Sequence, residues 1–256
     1  MKELIFLMLL MCPPAFAAVD FNPSDEAIDL GSASSLDDQE PFAASVWIYP
    51  DSSNAGTFRR IFGKDSTTIL NTGYWMLFFH NGGTNRIRFN KSHATGDVLA
   101  VTNDNAWTAD TWQNFLVTYD GGTSASGIHI YVNGVEQTYS LTQDATGAKA
   151  SDASISLFLG NRGALTSGFD GQLSEFYFWD KVLSADEIAN ISKSRVVGIG
   201  LQVSPSNLLV YTPLDDFADG ATVTGASSII DRSGNGNHGS PSNDPVARAQ
   251  QALSYP

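Results

Sequence analysis

The sequence predicts an all-β protein, a two-sheet antiparallel sandwich carrying one short helix. Three observations lead there. Short apolar-alternating runs recur between clusters of Gly, Asn, Asp and Ser. β-Branched and aromatic residues dominate those runs, as a half-buried pleated surface favours. No helical period separates them, and many short strands in succession pack as two facing sheets.

Residues 43–49 (AASVWIY) are the first such run. Residues 73–80 (GYWMLFFH) follow and are turned by Asn81-Gly82-Gly83 into 86–90 (RIRFN). Residues 111–119 (TWQNFLVTY) stop at Asp120-Gly121-Gly122. Residues 128–132 (IHIYV) run into Asn133-Gly134, a type I′ hairpin signal, so residues 135–140 should return antiparallel. Residues 155–160 and 171–180 complete the series. Ser184 and Glu187 have the spacing of a capping box, which predicts a helix over 185–192. Its Leu183, Ile188 and Ile191 should pack against a sheet edge. The apolar stretch 195–203 is broken by Gly198 and Gly200, and 204–207 (SPSN) reads as a turn or linker.

Residues 1–17 have the form of an export signal: Lys2, an apolar run over 4–11, then the small-x-small pattern Ala15-Phe16-Ala17. The run is too short for a permanent membrane span. The mature chain is expected to begin near Ala18 and to be secreted or held at the cell surface. Cys12, the single cysteine, would leave with the signal, so no disulfide, thiol nucleophile or cysteine metal site is expected.

The formal net charge is −13 with 16% charged residues. Such a chain repels nucleic acid and anionic lipid at long range. Arg59-Arg60 and Arg86/Arg88 read as isolated basic pairs that do not offset this. No HExxH, no Gly-x-Ser-x-Gly elbow and no phosphate loop occurs, and the histidines do not cluster. An aromatic platform for a sugar would come from Trp75, Trp107, Trp112, Tyr131 or Trp179. Trp107 is the candidate ligand contact, because Asn103-Asp104-Asn105-Ala106 places it in a loop.

Four blocks carry a resemblance: 21–36 (FNPSDEAIDLGSASSL), 42–51 (FAASVWIYPD), the central 107–134 with TWQNFLVTYDGG and IHIYVNG, and 157–191 with FDGQLSEFYFWDKVLSADEIANI. In this order they resemble the laminin-G-like domains of the concanavalin A-like lectin/glucanase superfamily. The resemblance implies a jelly-roll sandwich. One block is out of order: 208–239, with the motif Arg232-Ser233-Gly234-Asn235-Gly236-Asn237-His238, resembles a stretch that usually opens the domain. The implied organisation is a signal over 1–17, a sandwich over 18–193, a linker over 194–207 and a segment over 208–256 that completes the sandwich. That segment can close in cis or insert into a neighbour in trans. The linker can reach roughly 45 Å when extended, which allows both.

The resemblance also implies a ligand set. Such domains often hold Ca²⁺ through loop carboxylates, and the matching positions are Asp25, Asp29, Asp170, Asp215 and Asp231. Asn22 and Pro23 depart from the usual Asp and Gly there. The glucanase pattern Glu-x-Asp-x-x-Glu is absent; Glu175 and Asp180, five apart on one strand, should face opposite ways, so no glycoside hydrolase or lyase activity is expected. The expected role is a secreted non-catalytic module for adhesion or recognition, with a glycan or extracellular protein as partner. The alternative is a subunit of an extracellular filament joined to copies of itself by C-terminal strand exchange.

Overall fold

The computed structural model describes residues 17–65, 73–194 and 197–248. The expected export signal, including Cys12, lies outside them except for Ala17. Among the described residues the strands are β1 (Ala18–Phe21), β2 (Ala27–Asp29), β3 (Phe42–Pro50), β4 (Arg60–Lys64), β5 (Trp75–His80), β6 (Arg86–Lys91), β7 (Val98–Thr102) and β8 (Gln113–Tyr119). There follow β9 (Ile128–Val132), β10 (Val135–Glu136), β11 (Tyr139–Gln143), β12 (Leu157–Leu159), β13 (Gly171–Trp179), the helix α1 (Ala185–Lys193), β14 (Leu208–Thr212), β15 (Ser240–Ser242) and β16 (Val246–Arg248).

They form two antiparallel sheets. The first runs β10-β9-β8-β3-β13-β1-β16, with β14 also paired to β13, and the second runs β11-β7-β6-β5-β4-β12-β2-β15. The all-β sandwich expected from the sequence is the fold observed. Its core fills the space between the sheets through the period-two alternation of each strand. Phe42, Trp75, Phe89, Tyr119 and Phe178 meet there with ring centroids 4.6–6.0 Å apart from Phe42. The Asn133-Gly134 turn has φ of 52° and 75°, the doubly positive pair a type I′ hairpin needs. The expected return strand over 135–140 is corrected. It stops at Glu136, and Tyr139–Gln143 crosses to pair with β7 in the other sheet. The Tyr139 side chain lies against the main core, and its hydroxyl accepts the Ile130 amide at 2.9 Å, which draws the chain inward.

β13 is nine residues long, and its edge opposite β3 is shared. Residues Gly171 to Leu173 pair with β1, and Phe176 to Trp179 pair with β14 of the same chain. At the handover a β-bulge inserts one extra residue, and Glu175 sits there at φ 52°. The bulge turns Glu175 and Tyr177 to the outer face while Leu173, Phe176 and Phe178 stay in the core. Residues beyond β14 continue along both sheets: β15 pairs with β2 and β16 with β1. Pro241 is tolerated in β15 because that strand is the sheet's edge.

The capping box forms as expected: the Ser184 hydroxyl accepts the Glu187 amide at 3.4 Å and Glu187 accepts the Ser184 amide at 2.7 Å. Helix α1 lies on a sheet face rather than at an edge. Ile188, Ile191 and Leu183 pack with Ala43, Leu116, Tyr177, Trp179, Val203 and Tyr211 as a second apolar cluster. The outer face of the first sheet carries these large apolar side chains, so a helix must cover it. Glu187 also holds Lys181 at 3.0 Å and the Ser204 hydroxyl, which ties the stretch before β14 to the helix.

Glu175 is buried in this second cluster. Its carboxylate accepts the Tyr177 hydroxyl, the Tyr211 hydroxyl at 3.1 Å and the Gly198 amide at 3.0 Å. Burial raises its pKa above the usual 4.5, and the nearby Asp215 adds to the effect; the hydrogen bonds only partly offset it. A raised carboxyl pKa gives a contribution to stability that is complete below the unfolded value and is lost as pH rises through the folded value. Acidifying from neutral toward about pH 5 should therefore raise the wild-type stability relative to Glu175→Gln, which cannot titrate. Urea unfolding of both proteins across pH 4–8 (roughly the window that carboxyl titration spans) checks this. A pH-independent difference between them would show that the carboxyl does not titrate upward.

Candidate functional site

Side chains that alternate inward on β5 and β6 leave a second set facing out. Trp75, Leu77 and Phe79 point into the core, so Met76 and Phe78 face outward; Ile87 and Phe89 do the same on β6 and leave Arg88 and Asn90 outside. Arg60 joins them from β4, across a bulge between Arg60 and Phe62. Together with Phe58, Asp65, Tyr74, Asp97, Arg162 and Ser167 they line a cleft of about 460 Å³ on the outer face of the second sheet. Phe58 and Ser167 also border a neighbouring cleft of about 340 Å³, next to Arg59, Thr166 and Gly168. The two adjoin, with Phe58 and Ser167 lining both.

Phe58 is the exposed aromatic residue among those described, at 45% of its surface. Its ring leans on Phe78 at 6.2 Å and on His80 at 5.6 Å. Phe78 itself is closed off. The Arg60 guanidinium lies 4.6 Å and the Arg88 guanidinium 5.6 Å from its ring centroid. Arg60 is further held by Asp65 at 2.8 Å and the Phe58 carbonyl at 2.9 Å. Asp97 accepts the Tyr74 hydroxyl at 2.7 Å and the Asn90 amide at 2.6 Å. Burial and that hydrogen bond push the Tyr74 hydroxyl above its ordinary pKa, so it stays protonated and donating. The polar groups of the cleft are thus fixed in place before any ligand arrives.

The residues singled out from the sequence lie elsewhere. Trp107 is corrected: it is 2% exposed, and its ring packs 4.7 Å from Phe79 in the main core. Loop position did not imply exposure, because a large apolar ring is buried where the sandwich end leaves room. Trp75 and Trp179 are also core, and Trp112 packs on Tyr49 at 5.8 Å. Asp231 is buried; its two oxygens accept the amides of Tyr211, Ser233 and Asn237 at 2.9–3.0 Å, which closes the loop of the 232–238 motif. Asp215 pairs with Arg232. Asp170 accepts the Ser53 hydroxyl and pairs with Arg59 at 3.3 Å. Asp29 accepts the Gly31 amide at 2.7 Å, and Asp25 the Ser24 hydroxyl at 2.8 Å. Among the described residues no group of three or more His, Cys, Asp or Glu side chains could hold a metal ion. These five carboxylates therefore do not form one calcium cage. Glu175 is not a free acid but the buried clamp described above, and Asp180 accepts the Asn207 amide at 2.7 Å.

The cleft was missed because its residues look unrelated in the chain. Arg60 and Arg88 belong to two pairs that read as isolated, yet β4, β5 and β6 are neighbours, so the two guanidiniums share one face. A usable signal was the spacing Arg86-x-Arg88, which puts both on the same face of a strand, and the apolar Met76 and Phe78 on a face opposite the core. Arg86 pairs with Asp104 at 2.8 Å outside the cleft.

Known folds resemble this one. A Bacteroides ovatus ATCC 8483 protein named for carbohydrate binding superposes with a TM-score of 0.61 at 16% identity, covering 94% of this chain and 62% of its own. The chain thus spans less than two thirds of that protein. The CBM40 of the Ruminococcus gnavus IT-sialidase, bound to α2,3-sialyllactose, gives 0.51 at 15% identity over 68% of this chain and 96% of its own. Tailspike protein 2 of Escherichia coli O157:H7 bacteriophage CAB120 gives 0.51 at 12% identity, over 77% of this chain and 26% of its own. At these identities the likeness is one of fold. No curated protein matches the sequence. The Laminin_G_3 family model matches residues 22–189, most of the chain, and with the sandwich just described it places this protein in the concanavalin A-like lectin/glucanases superfamily.

Proposed function

We propose that the protein is an exported, non-catalytic module that binds glycans in the cleft on the outer face of the second sheet. The observation that carries this reading is the exposed Phe58 ring beside a cleft whose polar groups are already fixed. Sugar sites combine an apolar face for stacking with a few positioned polar groups. Phe58 offers the face, and Arg88, Asn90, Asp97 and Ser167 the donors and acceptors. The adjoining cleft past Phe58 makes room for more than one sugar unit. Named carbohydrate-binding neighbours of the same fold support the class of ligand. The two carboxylates in the cleft are engaged, Asp65 with Arg60 and Asp97 with Tyr74 and Asn90, which supports recognition rather than hydrolysis.

A glycan array followed by calorimetry tests the reading. Phe58→Ala should weaken binding of any array hit by about tenfold, from the loss of one ring contact of about 0.5–1.5 kcal/mol plus its buried area. Trp107→Phe, a core change, should leave the affinity per folded molecule unchanged. No hit on the array, or a hit indifferent to Phe58→Ala, would place the function elsewhere.

The filament reading keeps one supporting observation. The 208–248 residues add strands to both sheets, so the same edges would accept the segment from a neighbouring copy. Sizing of the mature protein over a wide concentration range decides between them: a monomer throughout favours the glycan-binding module, and growing oligomers favour the assembly.

A further inference from the structure

We infer that the glycan taken by this cleft is an acidic one, recognised through a sugar carboxylate held by Arg88 and Arg162. The inference rests on the cleft being the glycan site. Three of the chain's 14 Lys and Arg residues, Arg60, Arg88 and Arg162, line it. Against them stand two carboxylates, Asp65 and Asp97, so the cleft carries one positive charge in excess on a protein whose formal charge is −13. The excess resides on particular groups. Arg60 is spent on Asp65, with which it forms a buried ion pair. Arg88 donates through Nε to the neutral Asn90 carbonyl at 2.5 Å, and Arg162 donates to the Thr166 hydroxyl at 2.6–2.9 Å. Among the described residues neither forms an ion pair with a carboxylate.

The floor of the cleft points the same way. A neutral sugar would stack on an open aromatic face, but Phe78 is 4% exposed and lies under the Arg60 and Arg88 guanidiniums. What the cleft presents to a ligand is therefore largely guanidinium edge, with aromatic surface from Phe58 at its rim and from the half-buried Tyr74, whose hydroxyl Asp97 holds. A guanidinium resting on a ring is already oriented, so less side-chain entropy is lost when its outer N–H groups take up a planar carboxylate in a two-bond arrangement. Arg88 is also half-buried: burial disfavours its ionised form, the nearby Asp97 and Tyr74 offset part of that, and the like charge of Arg60 adds to it. A ligand carboxylate would relieve the burial and the like charge alike. Asp97 accepts both the Tyr74 hydroxyl and the Asn90 amide on its Oδ2, which fixes the carboxylate as a local acceptor for sugar hydroxyls and leaves the Arg88 edge for the acid.

The test compares carboxylated probes with neutral partners of the same skeleton: oligogalacturonate with its methyl ester, and sialyllactose with its methyl ester. Calorimetry on the full chain should show one carboxylated probe bound at least tenfold more tightly than its neutral partner, and which of the two it is separates a uronate from a sialic acid. Arg162→Gln and Arg88→Gln should each erase most of that preference, roughly ten- to hundredfold, with unfolding temperature near wild type for Arg162→Gln, whose side chain bonds Thr166 among the described residues. Arg162→Lys should not restore it, because a point charge lacks the fork. Raising salt should weaken the acidic probe more than the neutral one. Equal affinity for acidic and neutral partners, lost on Phe58→Ala, would overturn the carboxylate inference and leave the glycan site standing. An acidic preference untouched by both Gln variants would also overturn it. Binding of no probe, with Phe58→Ala inert, would remove the site reading itself.

Discussion

A chain ended after Ser204 should fail to fold. The segment it loses supplies Leu208, Val210, Tyr211, Leu214, Val223 and Ile229, each at most 4% exposed. Burying one such side chain is worth about 1.5–3 kcal/mol, so six of them match or exceed a typical total stability of about 5–15 kcal/mol. The loss is not only apolar. Phe176 to Trp179 of β13 would present unpaired backbone groups, and Glu175 would lose the Tyr211 hydroxyl and stand exposed in the gap. Circular dichroism and sizing of the shortened chain should show a molten or aggregated product. Adding residues 205–256 as a separate peptide should recover native signal, since a missing edge strand can be supplied in trans. If the shortened chain instead unfolds with the wild-type midpoint, the segment is not part of the sandwich's stability.

The second large effect concerns a buried charge network. Lys64 and Lys91 are fully buried and share Asp152, also fully buried, at 2.7 and 3.4 Å. Lys64 keeps Asp37 at 2.9 Å and the Leu36 carbonyl at 2.8 Å; Lys91 keeps Glu40 at 3.3 Å. Asp152 also exchanges backbone–carboxylate bonds with Asp38, which pins the 34–40 turn to the second sheet's end. Asp152→Ala removes one negative charge from between two ammonium groups that water does not reach. Breaking a buried pair by deleting one partner costs about 3–5 kcal/mol. For a domain of this size that is a fall in unfolding temperature on the order of 10 °C. Calorimetric scans check it, and a shift below about 1 kcal/mol would mean the lysines find other partners or water. Adding Lys64→Met to Asp152→Ala should recover part of the loss, because the unpaired ammonium goes with it.

Both effects come from contacts that join distant parts of the chain, and this sets how far the sequence could be read. Strand runs such as 43–49, 86–90 and 128–132 were legible because alternation is a local property, and each appears within two residues of its place. The helix after Ser184 was legible because its cap is formed by side chains three residues apart. The family was legible because four blocks keep their order. The return strand after Gly134 was misjudged at its far end, where a pull from the core, through Tyr139, outweighed the hairpin's local preference.

What the sequence determined on its own was the two-sheet sandwich, its family and the position of its helix, since period, capping and turn chemistry act over a few residues. The candidate binding face was decided only by tertiary structure. Arg60, Arg88 and Arg162 stand far apart along the chain, and nothing local tells that strand pairing and a bulge will bring their guanidiniums to one cleft beside Phe58. Trp107 shows the converse: a loop aromatic that looked free is taken up by the core, because burial is settled by the space between the sheets and not by neighbours in sequence.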